Sequence, residues 1–551
     1  MSFSLSTLSK ITLSVFLLFS FYASLLTIYN GSENDSLLRV FSDDEHGQVI
    51  RLQKMLTSDS IDAGGFKDGF YHYGQAYSSV AFGIIKVLDY FGFDKYSYQV
   101  SVLVFKMLSI TGYVFSIILF YLVLKSIGID DFISSIFTLV FAVHSDYWGW
   151  ATTIHPDTIQ MCLFLLAMLF FIKIRNFEIA IIITSFVIGV SFGTKYSGIF
   201  LTIFIASALI LNTIYRAKVF NKNNSINYFF NVTSWAVISF FFGWIFLNPF
   251  VLSRFNRLLV DLLQQSKSIS TIGGGTILND NWGEWFRMFH GEYGSIITII
   301  ILVGLIYLFV EALRVSIVKL RLKKLENLMS DRKRITLISL SIMTLINIVF
   351  LLIVIRYREW RYAFHILPFV IILSAYGVNL LLKKYNFSLL NILFFIGMIF
   401  FIFPKSVANF ELLADTHKIE SENPYVAAGK WLKNNYDRDT RILSGVYSYV
   451  DKDYFDTVEY TFEVTAKTMR MFNPDIVFMN DSVPGRYVWK KFGTNFSDNE
   501  LIYAKGWEDQ QLVDEFGELF KKMTSKKSNW LIVYESDSAV IFERKKESLY
   551  E

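Results

Sequence analysis

The chain has 551 residues, of which 53% are hydrophobic, 17% aromatic and only 18% charged; its formal net charge is +4 and its mean hydropathy +0.41. Apolar runs long enough to cross a bilayer exclude a soluble globular protein. The single cysteine, Cys162, excludes an intrachain disulfide or a cysteine-built metal site, and nothing in the charge pattern points to nucleic acid.

The first apolar run, 11–28, follows Lys10 and reads as a membrane helix with a cytoplasmic N-terminus; it is long for a signal-peptide core and no small-x-small site follows. Residues 30–100 form a long first external loop. It opens on three carboxylates and an imidazole, Asp43, Asp44, Glu45 and His46, and closes on an apolar segment, 76–91, that carries Lys86 and Asp89. That segment suits a helix lying in the membrane interface. Later runs alternate across the bilayer at 102–124, 132–147, 157–172, 177–192, 197–214, 228–247, 295–313, 335–355, 362–382 and 387–403.

Basic residues test this threading. The turns assigned inside carry Lys125, then Lys173 and Arg175, then Arg216, Lys218 and Lys222, then Lys383 and Lys384. A further inner loop holds Lys319, Arg321, Lys323, Lys324, Arg332 and Lys333, and reads as a topology determinant facing anionic lipid. The expectation is a mainly α, polytopic helical bundle of about eleven spans with its C-terminus outside.

Beyond Lys405 the composition turns polar. The domain division is therefore a membrane domain over 1–405 and an external α/β domain over 406–551. In the latter, a helix over 424–434 begins on Pro424, and strands are expected at 441–446, 475–479 and 530–534, with 539–542 as a hairpin partner. No glycine-rich phosphate loop and no nucleophilic triad occur there.

The polar clusters of the membrane domain fall on the external side. They are the Asp43–His46 knot; His144, Ser145 and Asp146 and Trp148-Gly149-Trp150 with His155, Pro156 and Asp157; and the Gly193-Thr194-Lys195-Tyr196 turn. Asn248-Pro249 opens a long loop holding Arg254, Arg257, Gly273-Gly274-Gly275, Trp282, Glu284 and Trp285, and the last outer turn carries Arg356, Arg358, Arg361 and His365. Each alone has a structural explanation: a snorkelling lysine, a helix-ending Asn-Pro, arginines pairing with lipid phosphate. Their meeting on one leaflet favours a shared site. Carboxylates there can act as a general base or, where two or three converge, hold a divalent cation such as magnesium or manganese. Lysine and arginine suit a phosphate, and tryptophan and tyrosine suit sugar faces.

The order of these features resembles the integral-membrane glycosyltransferases of the C-type fold, such as the lipid A aminoarabinose transferases and the protein O-mannosyltransferases. Asp44-Glu45 matches the Asp-Glu pair that opens that family's first external loop, here preceded by Asp43. An interface helix follows, then His155-Pro156-Asp157 at the start of the fourth span, with histidine where some relatives have arginine. Arg361-Tyr362 before the span containing Pro368, and a soluble C-terminal domain, complete the pattern.

The resemblance implies inverting transfer of a sugar from a polyprenyl-phosphate donor to a hydroxyl of a glycan, lipid or protein acceptor. Asp44 is then the base, with Asp43 the adjacent alternative and Glu45 orienting it or the acceptor. Lys195 and Arg361, assisted by Arg356 or Arg358, would stabilise the departing phosphate. His155, Asp157 and His46 would touch substrate or metal; the family has both metal-dependent and metal-independent members, and no other cofactor is implied. The rival readings are a lipid transporter or flippase and a noncatalytic envelope-assembly protein. Transporters carry mid-membrane ionisable groups and internal repeats. Here Lys106 is the main mid-span charge, and no duplication is visible.

Overall fold

The computed structural model describes residues 5–33, 35–41, 43–61, 74–219, 222–256, 258–260, 262–263, 283–322, 332–355, 360–385, 388–461, 464–481, 487–490, 495–503 and 510–545. Among the described residues, nine helices are long and apolar enough to cross a membrane, and a bent pair of helices makes a tenth. This is an integral, multi-pass membrane protein.

The order begins with α1 (Leu5–Leu26), then three helices in the first loop: α2 (Asp35–Phe41), α3 (Asp43–Thr57) and α4 (Ala76–Tyr90). The acidic knot is thus not a loop but the first turn of α3. α2, α3 and α4 pack their apolar faces through Leu38, Val49, Leu52, Leu56, Tyr77 and Ile85 onto Val102 and Phe105 of α5 (Tyr98–Ser126). The far end of α4 leaves Tyr90 and Phe91 exposed.

The run expected to span at 132–147 is divided instead. α6 (Asp131–Ala142) is followed by α7 (Ser145–Thr152), which meets α8 (Asp157–Lys173) at 113°. The break has a partner: the Ser145 amide opening α7 donates to the Glu292 carboxylate at 2.7 Å. The chain continues through α9 (Phe177–Thr194), a 3-10 turn (Tyr196–Leu201), α10 (Thr202–Val219) and α11 (Lys222–Phe246). α12 (Gly283–Leu322) is broken at Gly294, whose φ of 66° lies in the left-handed region that glycine tolerates. Then come α13 (Arg332–Ile353), the short α14 (Trp360–Ala363), α15 (Leu367–Tyr385) and α16 (Ser388–Glu422). α16 runs unbroken through Pro404, so residue 405 lies inside a helix.

Helix crossings in this bundle depend on small residues, because lipid offers no hydrophobic drive between spans. α9 and α11 approach so closely that a Cβ on Gly189 would stand 2.0 Å from the Phe240 carbonyl, and one on Gly243 would stand 2.1 Å from that of Phe186. One end of the bundle is held by basic residues: Lys10 and Lys125 meet Asp131 at 2.5 and 2.6 Å, Lys383 meets Asp130 at 3.2 Å, and Arg332 donates to the Phe171 carbonyl. The polar motifs lie at the other end.

The C-terminal unit starts with α17 (Pro424–Asn435), whose Asn423 cap accepts from the amides of Tyr425 and Val426. Strands β1 (Arg441–Gly445), β2 (Thr457–Thr461) and β3 (Ile476–Asn480), with α18 (Ala466–Phe472) between the last two, form the parallel part of a five-stranded sheet. After a separate hairpin of β4 (Tyr487–Lys490) and β5 (Glu500–Tyr503) comes α19 (Gln510–Thr524). β6 (Trp530–Glu535) and β7 (Ala539–Arg544) then complete the order β2-β1-β3-β7-β6. β3 is buried along its whole length, and the expected hairpin partnership of β6 and β7 is present.

Candidate active site

The site is assembled from motifs far apart in sequence. Glu45, in the first turn of α3 and 5% exposed, accepts the Ile154 amide on Oε2 at 2.8 Å. That bond fastens the acidic turn to the peptide just before His155-Pro156-Asp157. Ile154 is itself buried among the apolar residues of α2, α3 and α4, so burial and hydrogen bond act together.

Asp157, at the start of α8, is 5% exposed. It receives Lys195 Nζ at 2.7 Å on Oδ1 and 2.8 Å on Oδ2, and His155 Nδ1 lies 2.7 Å from Oδ2. Lys195 closes α9 and opens the 3-10 turn, and its carbonyl accepts from Gln160 Nε2 at 2.7 Å. The ammonium is therefore fixed through both its head and its backbone. His155 stacks flat on Trp150, with centroids 5.0 Å apart and planes 7° apart, and Ser109 Oγ takes the His155 amide at 3.2 Å.

The turn that follows α14, the helix carrying Arg361, forms the adjoining wall through two ring contacts. Phe364 meets Trp150 edge-on at 4.9 Å, and His365 stacks on Phe200 of the 3-10 turn at 4.7 Å. Arg361 itself rests over the Tyr362 ring, 5.2 Å from its centroid. The segments bearing Lys195 and Arg361 thus border the same region.

The loop before α4 is seated against this wall by a close approach. A Cβ on Gly74 would lie 1.8 Å from the Gly193 carbonyl, and one on Gly193 would lie 2.2 Å from Asn248 Nδ2. Asn248 in turn accepts the Gln75 amide at 2.7 Å and donates to the Trp244 carbonyl at 2.8 Å. The Asn-Pro element thus ties the first loop to α11 next to Lys195.

His46 belongs to a different surrounding. Its Nε2 meets the Arg39 guanidinium, which lies 4.3 Å over Tyr460 of β2 in the C-terminal unit. Burial, the Arg39 cation and, more weakly, Lys452 push its pKa down to about 4, against an opposing pull from Asp35. His46 is thus engaged with Arg39, whereas Glu45 beside it bonds the peptide before His155. Of Asp43 and Asp44 only the backbone is described, at the head of α3; Arg356, Arg358, the 273–275 run and Trp282 lie outside the described residues. Lys106 is buried and donates to the Asn30 carbonyl. Among the described residues no three histidine, cysteine or acidic side chains converge as a metal would need, and Asp157 is already engaged by Lys195.

No protein-family model matches the chain, and no curated protein matches it. Solved structures do. ArnT from Cupriavidus metallidurans, bound to undecaprenyl phosphate, is similar over 98% of this chain and 98% of its own, at 9% identity and a TM-score of 0.50. The apo oligosaccharyltransferase of Archaeoglobus fulgidus is similar over 96% of this chain and 80% of its own, at 11% identity and a TM-score of 0.51. The fold is that of the C-type membrane glycosyltransferases.

Within this C-type fold, sequence reading missed partners that organise the site: the Ile154 amide, Phe200, Gln160 and the role of Arg39. The amide leaves no side-chain pattern. The Trp148-Gly149-Trp150 run was visible, but its stacking on His155 needs the bend between α7 and α8.

Proposed function

We propose that this protein is a membrane glycosyltransferase that moves a sugar from a polyprenyl-phosphate donor to an acceptor hydroxyl on the external face, with inversion at the anomeric carbon. The observation that carries this reading is the continuous set of contacts from Glu45 through Ile154 and His155 to Asp157 and Lys195, on a fold shared with a protein solved with undecaprenyl phosphate.

In the reaction the acceptor oxygen bonds to the anomeric carbon as the bond from that carbon to the phosphate oxygen breaks. The acceptor proton passes to the carboxylate of Asp44, or of the adjacent Asp43, and the electron pair of the broken bond leaves on the polyprenyl phosphate. Glu45, engaged with the Ile154 amide, fastens the acidic turn rather than taking the proton. Lys195, held by Asp157, offers a fixed positive charge beside the departing phosphate, with Arg361 from the adjoining wall assisting; such preorganised charge is worth more in a desolvated site than in water. Arg356 or Arg358, close to Arg361 in sequence, would assist.

The test is transfer by the purified protein in lipid nanodiscs from an undecaprenyl-phosphate hexose of known anomeric configuration, with NMR of the product. The opposite anomer is expected. Retention, or transport of the lipid without cleavage, would reject the reading.

A further inference from the structure

His365 lies in the turn between α14 and α15, just before the membrane span that starts at Leu367. It is 7% exposed, and neither of its ring nitrogens has a hydrogen-bond partner among the described residues. Its ring is held flat on Phe200, with planes 9° apart, so its nitrogens point along a fixed plane. Phe200 belongs to the turn that Lys195 opens, and the charges of both Lys195 and Asp157 act on the imidazole.

An unsatisfied buried polar atom costs about 1–3 kcal/mol. Two on one ring, at the wall of the site, mark a position built for something that completes it. Burial and the Lys195 cation both favour the neutral ring, which offers one donor and one acceptor. A phosphate oxygen only accepts. A hydroxyl both donates and accepts, so it matches the neutral ring, whereas the cationic Lys195 and Arg361 match the phosphate. His144 is also buried with both nitrogens unpartnered, but it packs edge-on to Tyr293, Trp360 and Phe364, and the charge acting on it is Lys405 rather than the Lys195–Asp157 pair.

We propose that His365 is a specificity residue of the donor site, hydrogen-bonding a hydroxyl of the transferred sugar while Lys195 and Arg361 hold the phosphate. This rests on the transferase reading above. It places the sugar ring between the Phe200–His365 stack and the Asp157–Lys195 pair, and makes recognition of the sugar separable from recognition of its lipid phosphate.

The experiment uses the full chain in nanodiscs and four probes: undecaprenyl phosphate alone, and undecaprenyl phosphate carrying glucose, mannose or galactose. Affinities are measured for the wild type and for His365→Phe, His365→Asn and His365→Gln. All forms are expected to bind bare undecaprenyl phosphate within about twofold of one another. The wild type is expected to prefer one glycosylated probe, and His365→Phe to weaken that probe at least tenfold, erasing its advantage over its epimer. Asn or Gln, which keep a donor and an acceptor, should restore part of the preference; if the Phe variant does not fold, their intermediate affinities carry the test. Equal losses for bare and glycosylated lipid, no loss for any sugar, or a wild type that prefers no sugar would overturn the proposal. A wild type that does not bind bare undecaprenyl phosphate would instead overturn the transferase reading itself.

Discussion

Lys195 and Asp157, 38 residues apart in the chain, are joined twice, Nζ lying 2.7 Å from one carboxylate oxygen and 2.8 Å from the other. The side chains are 15% and 5% exposed, so the pair is almost wholly removed from water. Such pairs contribute little net stability when made but are costly to break from one side. Their use here is positional: a lysine on a flexible stem is held at one point.

Asp157→Asn should therefore destabilise the protein by about 3–5 kcal/mol, the scale for leaving a buried charge uncompensated. Adding Lys195→Met to it should recover most of the thermal stability in detergent while leaving transfer lost. Recovery of both would show the pair to be structural alone.

Glu45→Gln keeps the shape but turns a charge-assisted bond into a neutral one, and about 1.5–3 kcal/mol attaches to hydrogen bonds of the charged kind. The expected signature is local: faster hydrogen exchange in the peptide containing Ile154, with transfer reduced and the C-terminal sheet unaffected. Unchanged exchange at that peptide would dissociate Glu45 from the role given to it.

His46 predicts a pH dependence. Its folded pKa, about 4, lies below the ordinary histidine value, so the unfolded chain binds the proton first as the medium is acidified. The stabilisation from a neutral His46 is thus complete above about pH 6.5 and is lost as the pH falls toward 4. His46→Gln should flatten the melting temperature over that window relative to wild type. Identical slopes for the two proteins would contradict the placement of His46 beside Arg39.

The long apolar runs made the bundle legible, because a bilayer core of roughly 30 Å leaves few ways to read them. The Asn423-Pro424 start of α17 and the short apolar runs of β1, β3, β6 and β7 were equally open to inspection. β2 was not: Thr457-Val458-Glu459-Tyr460-Thr461 is only partly buried, at the sheet edge, and shows little apolar signal. The division of α6 from α7 was hidden because the break is satisfied by Glu292, 147 residues away. In the site, the motifs were visible one by one, but their meeting was not. The bonds joining them run to a backbone amide, to a stacked ring and across a helix bend, and none of these has a sequence period.

Asp44→Asn is the substitution that tests the account most directly. It preserves the shape of the side chain and removes its basicity, at the head of the helix that Glu45 fastens to the Asp157–Lys195 cluster. Transfer of sugar from an undecaprenyl-phosphate donor by the purified variant, compared with wild type at equal binding of undecaprenyl phosphate, should fall by about 10²–10⁴-fold, the usual contribution of a general base. Loss on Asp43→Asn instead would move the base by one residue and keep the mechanism. Rates within about threefold of wild type for both single variants and for the double variant would contradict base catalysis from this turn, and with it the proposed reaction.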